Sequence, residues 1–324
     1  MSSKKKIQID SDFSRMLIIL VVLLLAAGIT RGSAFMSVKN FQTIGKQLTE
    51  YGLMAMGLSM AMITGGIDLS TVYIANLSGA CAALMMAQLA PEGQIAGILI
   101  SCVVALGIGI LCGALNGILV AIVNVPPMLA TLGTYELFYG ITIVLANGKS
   151  INSIAEYKKF AAVMVFGVIP LPFVIFIAAA IVLSIVVGKT SFGRRIHLVG
   201  INANASVFAG IKKRSVITIT YMISGLLSAM AGLISLSRVA SVKADFGSSY
   251  VTMTILIAVL GGCDPDGGKG EIAGVATAVI VLQVISAYLN TLPSIDNYYR
   301  QMLYGVLILG FMTYKLLRSR KSKH

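Results

Sequence analysis

Tryptophan is absent, histidine occurs twice, cysteine four times, and only 11% of the 324 residues are charged. The shortage of charge is the most restrictive of these. A soluble domain needs roughly a quarter of its residues charged to cover its surface, so this chain is not one. With His197 and His324 as the only histidines, a histidine-built metal centre is excluded. Cys81, Cys102, Cys112 and Cys263 lack the CxxC spacing of a metal or redox site, and three of them sit inside apolar runs. They read as small packing residues rather than a disulfide framework. No HExxH, nucleophile elbow or carboxylate pair is present. "NGKS" at 147–150 imitates the end of a phosphate-binding loop, but Ile143 stands where that loop needs glycine. The chain is therefore expected to be no enzyme and to bind no cofactor of its own.

What it has instead is apolar sequence: 57% hydrophobic residues and a mean hydropathy of +0.91. Runs such as "MLIILVVLLLAAGIT" and "FVIFIAAAIVLSIVVG" approach the length needed to cross a bilayer core at 1.5 Å per residue. About ten spans are expected, at 16–30, 48–64, 72–90, 95–118, 128–146, 173–188, 215–236, 251–262, 272–290 and 301–317. The first follows a lysine cluster but lacks a small-x-small cleavage site, so it reads as an uncleaved helix. The net charge of +13 does not point to nucleic acid, because the basic residues gather at the chain ends and between Lys189 and Arg214. With both termini in the cytoplasm, sixteen of the 25 lysines and arginines fall on that side, the bias of a multi-pass protein of the cell membrane. The fold class expected is an all-α polytopic membrane protein with broken or re-entrant segments.

Three breaks interrupt the apolar pattern. "ITGGIDLSTVY" places Gly65 and Gly66 before Asp68, Ser70 and Thr71. "LGGCDPDGGKGEIAG" repeats the device at Gly261 and Gly262. The echo suggests two halves, 48–146 and 215–317, with both breaks on the cytoplasmic side. Broken backbone in a membrane survives only where protein or a water-filled cavity satisfies it. Asp68 or Ser70 is accordingly expected to cap the following helix, and Asp68, as an acid at membrane depth, also to belong to a pathway or gate. The third break, "NVPPMLATLGT", uses Pro126 and Pro127, the second of which suits the first turn of a new helix. Gly109, Gly113 and Gly117 at four-residue spacing, and likewise Ser224, Ser228 and Gly232, are expected to let helices approach closely. Between the halves, "KTSFGRRIHLVGINANASVFAGIKKR" (189–214) reads either as a solvated anchoring loop or as a short surface helix, bounded by hinge glycines, that docks on a partner.

Four stretches in this order, "TGGIDLS", "GALNGILVAIVNVPPMLATLGT", "TSFGRRIHLVGINANASVFAGI" and "GGCDPDGGKGEIAG", resemble the permease subunit of ribose-type, simple-sugar ABC importers. The resemblance covers about 48–315 and implies a single permease domain over 1–324. Basic tails at 1–15 and 318–324 would be cytoplasmic, and the fold similar to the cobalamin-importer (type II) class. It implies a homodimer or heterodimer with the pathway at the dimer interface, and a cytoplasmic ABC ATPase that holds the ATP and Mg. An extracytoplasmic sugar-binding protein would deliver a monosaccharide. Gly200, Asn202, Asn204, Ala205, Ala209 and Gly210 would then form the ATPase-coupling helix. Asn116, Thr134, Tyr135 and Glu136 join Asp68 and Ser70 as candidates for the pathway. The sequence departs from the family pattern at Tyr73, Asn76, Glu136, Tyr139, Asp264 and Asp266, which bears on the substrate rather than the class. The alternatives are an ion-coupled secondary transporter using Asp68 or Glu136, and an importer of a nucleoside or sugar-like signalling molecule.

Overall fold

A computed structural model describes residues 11–292 and, beyond them, 299, 302, 304–306, 309–310 and 313. Most of the expected tenth span, the C-terminal basic tail and residues 1–10 of the N-terminal one lie outside the described residues; 11–15, expected in that tail, already belong to the first helix. Five helices come first: α1 (Ser11–Phe35), α2 (Val38–Ile63), α3 (Thr71–Leu89), α4 (Ile95–Ala121) and α5 (Pro127–Leu145). A connection follows with β1 (Ile151–Asn152), α6 (Ala155–Lys158), a 3-10 turn, β2 (Met164–Val165) and β3 (Ile169–Pro170). Then come α7 (Leu171–Lys189), α8 (Ser191–Ile201), α9 (Ala203–Phe208), α10 (Lys213–Val239), β4 (Ser241–Val242), α11 (Ser248–Leu260) and α12 (Ile272–Asn290).

The first nine expected spans each fall on a helix. Among the described residues seven helices are long and apolar enough to cross a membrane: α1, α3, α4, α5, α7, α10 and α12. The other two depart from expectation for readable reasons. α2 begins at Val38, ten residues before the expected 48, because Ser37 caps it by accepting from the Asn40 amide at 3.3 Å. Its early turns carry Lys39 and Lys46, which make 38–47 read as a loop. α11 has only 13 residues, about 20 Å at 1.5 Å per residue, and falls short of a core of about 30 Å. Among the described residues the only strands are four of two residues each. These form two antiparallel ladders, β1 with β4 and β2 with β3.

The bundle is organised around α10, which packs against α4, α2 and α3. The expected small-residue stripes explain how. A Cβ at Gly109 would stand 2.5 Å from both the Ala229 Cβ and the Gly225 carbonyl, and one at Gly117 would stand 2.6 Å from the Thr218 Cα. Gly113 lies in the same way against the Tyr221 carbonyl, and Gly225 returns the contact against Gly109. On its other faces α10 sets Ser224 against Gly57 and Gly232 against the Ala75 carbonyl. Hydrocarbon offers no hydrophobic gain for helix association, so backbone proximity and the dispersion it allows hold this crossing together. Large apolar residues on α1, α4, α5 and α7 remain exposed, among them Leu25, Val103, Val144 and Ile181, as surfaces bathed in lipid require.

Candidate functional site

α2 ends where Gly65 takes φ 85° and the Gly65 and Gly66 amides turn back to the Met62 and Ala61 carbonyls at 2.9 and 3.1 Å. Gly66 is needed for space, because a Cβ there would stand 2.5 Å from the Tyr221 hydroxyl and 3.2 Å from the Pro127 Cβ. From this turn the chain climbs back among the helices without regular structure until Thr71. Asp68, fully buried in that stretch, accepts at Oδ1 from the Ser70 amide (3.1 Å) and hydroxyl (2.6 Å), and at Oδ2 from the Ser224 hydroxyl (2.8 Å). The Ser70 oxygen accepts in turn from Asn116 Nδ2 at 2.7 Å, and Thr134 Oγ1 donates to Asn116 Oδ1 at 2.6 Å.

Asp68, Ser70, Asn116 and Thr134 thus lie on one buried polar spine that runs with Ser224 from α10 through the first break to α4 and α5. The capping expectation is corrected here. Ser70 occupies the N-cap position of α3, but its side chain makes no cap bond, because its hydroxyl is committed to Asp68. The carboxylate fastens the break to α10 instead. Tyr135 and Glu136 are not on the spine. The Tyr135 ring tilts against Tyr73 with centroids 4.1 Å apart, and Tyr139 meets Tyr73 edge-on at 5.7 Å. Glu136 is exposed on the outer face of α5, one turn from the open positions Gly133 and Gly140.

The proline break behaves as its residues dictate. Asn124 takes φ 63°, Pro126 is the N-cap of α5 and Pro127 its first residue. Thr131 on α5 donates to the Ile67 carbonyl at 2.9 Å, which ties this helix to the first break.

The second break meets the first. Gly262 (φ 94°) ends α11, and the turn through Asp264 closes with its amide on the Lys269 carbonyl at 3.0 Å. Gly261 lies against the start of α12, where a Cβ would stand 2.5 Å from the Val275 Cα. Gly268 then donates its amide to the Ile63 carbonyl at 2.8 Å. Gly200 of α8 is wedged into this same place: a Cβ there would overlap both the Ile63 oxygen and the Gly268 nitrogen. His197 Nδ1 lies 3.2 Å from the Gly268 carbonyl. Three backbones from distant parts of the chain share one junction, beside a cleft of about 600 Å³ lined by His197, Gly262, Lys269 and Glu271.

The segment 189–214 resolves into two helices rather than one bounded by hinge glycines. Thr190 caps α8 by accepting from the Gly193 amide at 3.2 Å, and Asn202 caps α9 by accepting from the Asn204 and Ala205 amides at 3.1 and 2.9 Å. Gly210 ends this unit with φ 77°. Asn204, Ala205, Ala209 and Gly210 are exposed together. Gly200 is not among them; it faces inward, to the junction. Phe208, 93% exposed at the end of α9, is the residue that reasoning from small side chains passed over. Its signal is the one aromatic in the small, polar stretch 202–210.

Two further polar contacts are not legible in the local sequence. Arg238 near the end of α10 forks onto the buried Glu50 of α2, Nε to Oε1 and Nη2 to Oε2, the latter at 3.0 Å. After β4 the chain turns inward, and Asn76 Nδ2 holds the Ala244 and Phe246 carbonyls at 3.0 and 2.9 Å. Lys243 Nζ pairs with Asp245 Oδ2 at 3.1 Å in that turn.

Comparison with known proteins gives a consistent picture. Residues 40–312 match a family described as branched-chain amino acid transport system / permease component. The ribose import permease protein RbsC of Bacillus subtilis (strain 168) is 32% identical over 95% of this chain and 94% of its own. The D-allose transport system permease protein AlsC of Escherichia coli (strain K12) is 31% identical over 93% of this chain and 91% of its own. The autoinducer 2 import system permease protein LsrC of Escherichia coli (strain SMS-3-5 / SECEC) is 28% identical over 96% and 88%. Among solved structures, an inward-facing ABC transporter of metal-chelate type aligns with a TM-score of 0.53 at 14% identity, covering 94% of this chain and 99% of that one. At that identity the likeness establishes a shared fold.

Proposed function

Because the chain belongs to the branched-chain amino acid transport system / permease component family, we propose that it is the membrane-spanning subunit of an ATP-driven importer of a monosaccharide. The relatives named for ribose and D-allose support a sugar over an amino acid as cargo. In this reading the junction side of the bundle is cytoplasmic, as Arg194, Arg195, Lys212, Lys213 and Arg214 around α8 and α9 favour. The exposed surface of α9, with Asn204, Ala205, Phe208 and Ala209, docks on a separate ABC ATPase that holds ATP and Mg. Two permease copies enclose the path, the outer face of α5 with Glu136 turns toward it, and an extracytoplasmic binding protein delivers the sugar.

One observation carries the proposal: Gly200 wedged between Ile63 and Gly268. Side chains are absent at this contact, so a displacement of α8 has nothing compliant to deform and passes to the end of α2 and the α11–α12 connection together. The spine then links the first break to α4, α5 and α10, the elements that must shift for access to alternate. Binding energy for the cargo resides in the binding protein, and the permease supplies a polar path of weak contacts.

Reconstitution tests the assignment. Proteoliposomes holding the chain with its ATPase and binding protein accumulate D-ribose or D-allose only with ATP inside. Ala205→Glu abolishes accumulation while the chain still inserts in the membrane. Accumulation by the chain alone under a proton gradient overturns the proposal.

A further inference from the structure

The least explained part of the molecule is the stretch between α10 and α11. α10 is 27 residues long, about 40 Å, which exceeds a hydrocarbon core of about 30 Å by about 5 Å at each end. Ala240 turns the chain in the left-handed region (φ 67°), and Ser241–Val242 pairs with Ile151–Asn152. The chain then descends. Asn76, whose amide holds the Ala244 and Phe246 carbonyls, lies next to Ala75, against which Gly232 packs. Gly232 is seven residues short of Val239, about 10 Å down the helix. With α10 centred on the core, the non-helical residues 243–247 lie about 5 Å inside its edge, and α11 starts from there.

Irregular backbone at that depth is tolerated only where protein buries it or water reaches it. Asn76 satisfies part of it. The side chains of Lys243 and Asp245 are left 62% and 51% exposed, and charged groups facing lipid at such depth are costly. Both point to water. We propose that residues 240–247 form a re-entrant, water-lined part of the import path in which Lys243 and Asp245 hydrogen-bond the hydroxyls of the passing monosaccharide. The aqueous assignment stands on the geometry; the sugar assignment rests on the importer reading above.

The chemistry fits a neutral polyol. An exposed lysine–aspartate pair is weak, since water competes for both partners, so it opens at little cost to a ligand. Its ammonium donates and its carboxylate accepts, the two roles that neighbouring sugar hydroxyls complement. The pair carries no net charge to retain the cargo, as a path that must release it requires. Phe246, set edge-on to Tyr250 with centroids 6.2 Å apart, offers an apolar surface beside it for the C–H face of the ring.

The test uses the assembled importer, with its ATPase and binding protein, in proteoliposomes, with the four native cysteines changed to alanine. Single variants Lys243→Cys and Asp245→Cys are treated with a charged, membrane-impermeant thiol reagent, which reacts only with a hydrated thiolate. Ile181→Cys serves as the lipid-facing reference, since Ile181 on α7 is 56% exposed. Cysteine at 243 and at 245 is labelled, and at 181 is not. D-ribose delivered by the binding protein slows labelling at both positions; L-leucine does not. Asp245→Asn lowers D-ribose uptake about tenfold, as loss of a hydrogen bond to a charged group predicts. No labelling at 243 and 245 overturns the aqueous assignment. Labelling that ribose leaves unchanged, or that leucine slows instead, overturns the sugar contact. If one variant fails to assemble, the other reports on the same turn. Absence of any sugar uptake by the unaltered importer counts against the importer reading, and the labelling pattern still decides whether this stretch is wet.

Discussion

Gly200 and Gly268 approach so closely that a Cβ on the first would overlap the amide nitrogen of the second, the amide that donates to the Ile63 carbonyl at 2.8 Å. A side chain at 200 therefore separates α8 from both breaks at once. Gly200→Val is expected to reduce ATP-driven uptake by at least about tenfold, on the scale of the 1–3 kcal/mol that overpacking costs. ATPase subunits should still copurify with it, since the α9 surface is untouched. Uptake at the unaltered rate would show that the junction transmits nothing.

Asp68 offers only acceptors to its three donors, the Ser70 amide, the Ser70 hydroxyl and the Ser224 hydroxyl. Asparagine keeps an acceptor for Ser70, and the Ser224 hydroxyl rotates to accept from the new NH₂. Leucine leaves buried donors unpaired at about 1–3 kcal/mol each. Asp68→Asn should retain most uptake, whereas Asp68→Leu should lose it and lower the unfolding temperature in detergent. Equal loss in both would instead assign a role to the charge.

The crossing of α4 and α10 gives a paired test on one helix. Gly113 lies against the Tyr221 backbone, while Gly107 has no atom within 4 Å of where a Cβ would sit. Gly113→Val should abolish folded protein. Gly107→Ala should leave stability unchanged or raise it by about 0.5–1 kcal/mol, because alanine loses less backbone entropy in a helix. The yield of monodisperse protein in detergent checks the first, and thermal unfolding of the purified variant checks the second.

Glu50 and Arg238 join α2 to α10 through a forked pair with the carboxylate fully buried. Removing the guanidinium strands a buried charge at about 3–5 kcal/mol. Arg238→Met should therefore be strongly destabilised, and adding Glu50→Gln should restore much of the loss. A double variant no better than the single would refute the pairing as the cause.

Much of this architecture was legible because a membrane imposes long apolar runs, and because Gly-Gly followed by an acid has few uses inside one. The polar spine was half legible: Asp68, Ser70, Asn116 and Thr134 stood out as polar groups in apolar sequence, though nothing local showed that they touch. The junction was hidden because Ile63, Gly200 and Gly268 are remote in sequence and carry no side chain that announces a contact. "SVKADFG" looks like an ordinary charged loop; only the Asn76 amide, 168 residues from Ala244, shows that it turns inward. The start of α2 is hidden for a different reason: Lys39 and Lys46 in its first turns make 38–47 read as a loop.

The seam of Gly109, Gly113 and Gly117 also sets a rule for anyone recombining parts of this chain with its relatives. Two helices in backbone contact have no intervening side chains to adjust when one is exchanged. α4 and α10 must travel as a pair, and a chimera that takes one without the other fails before its cargo preference can be measured.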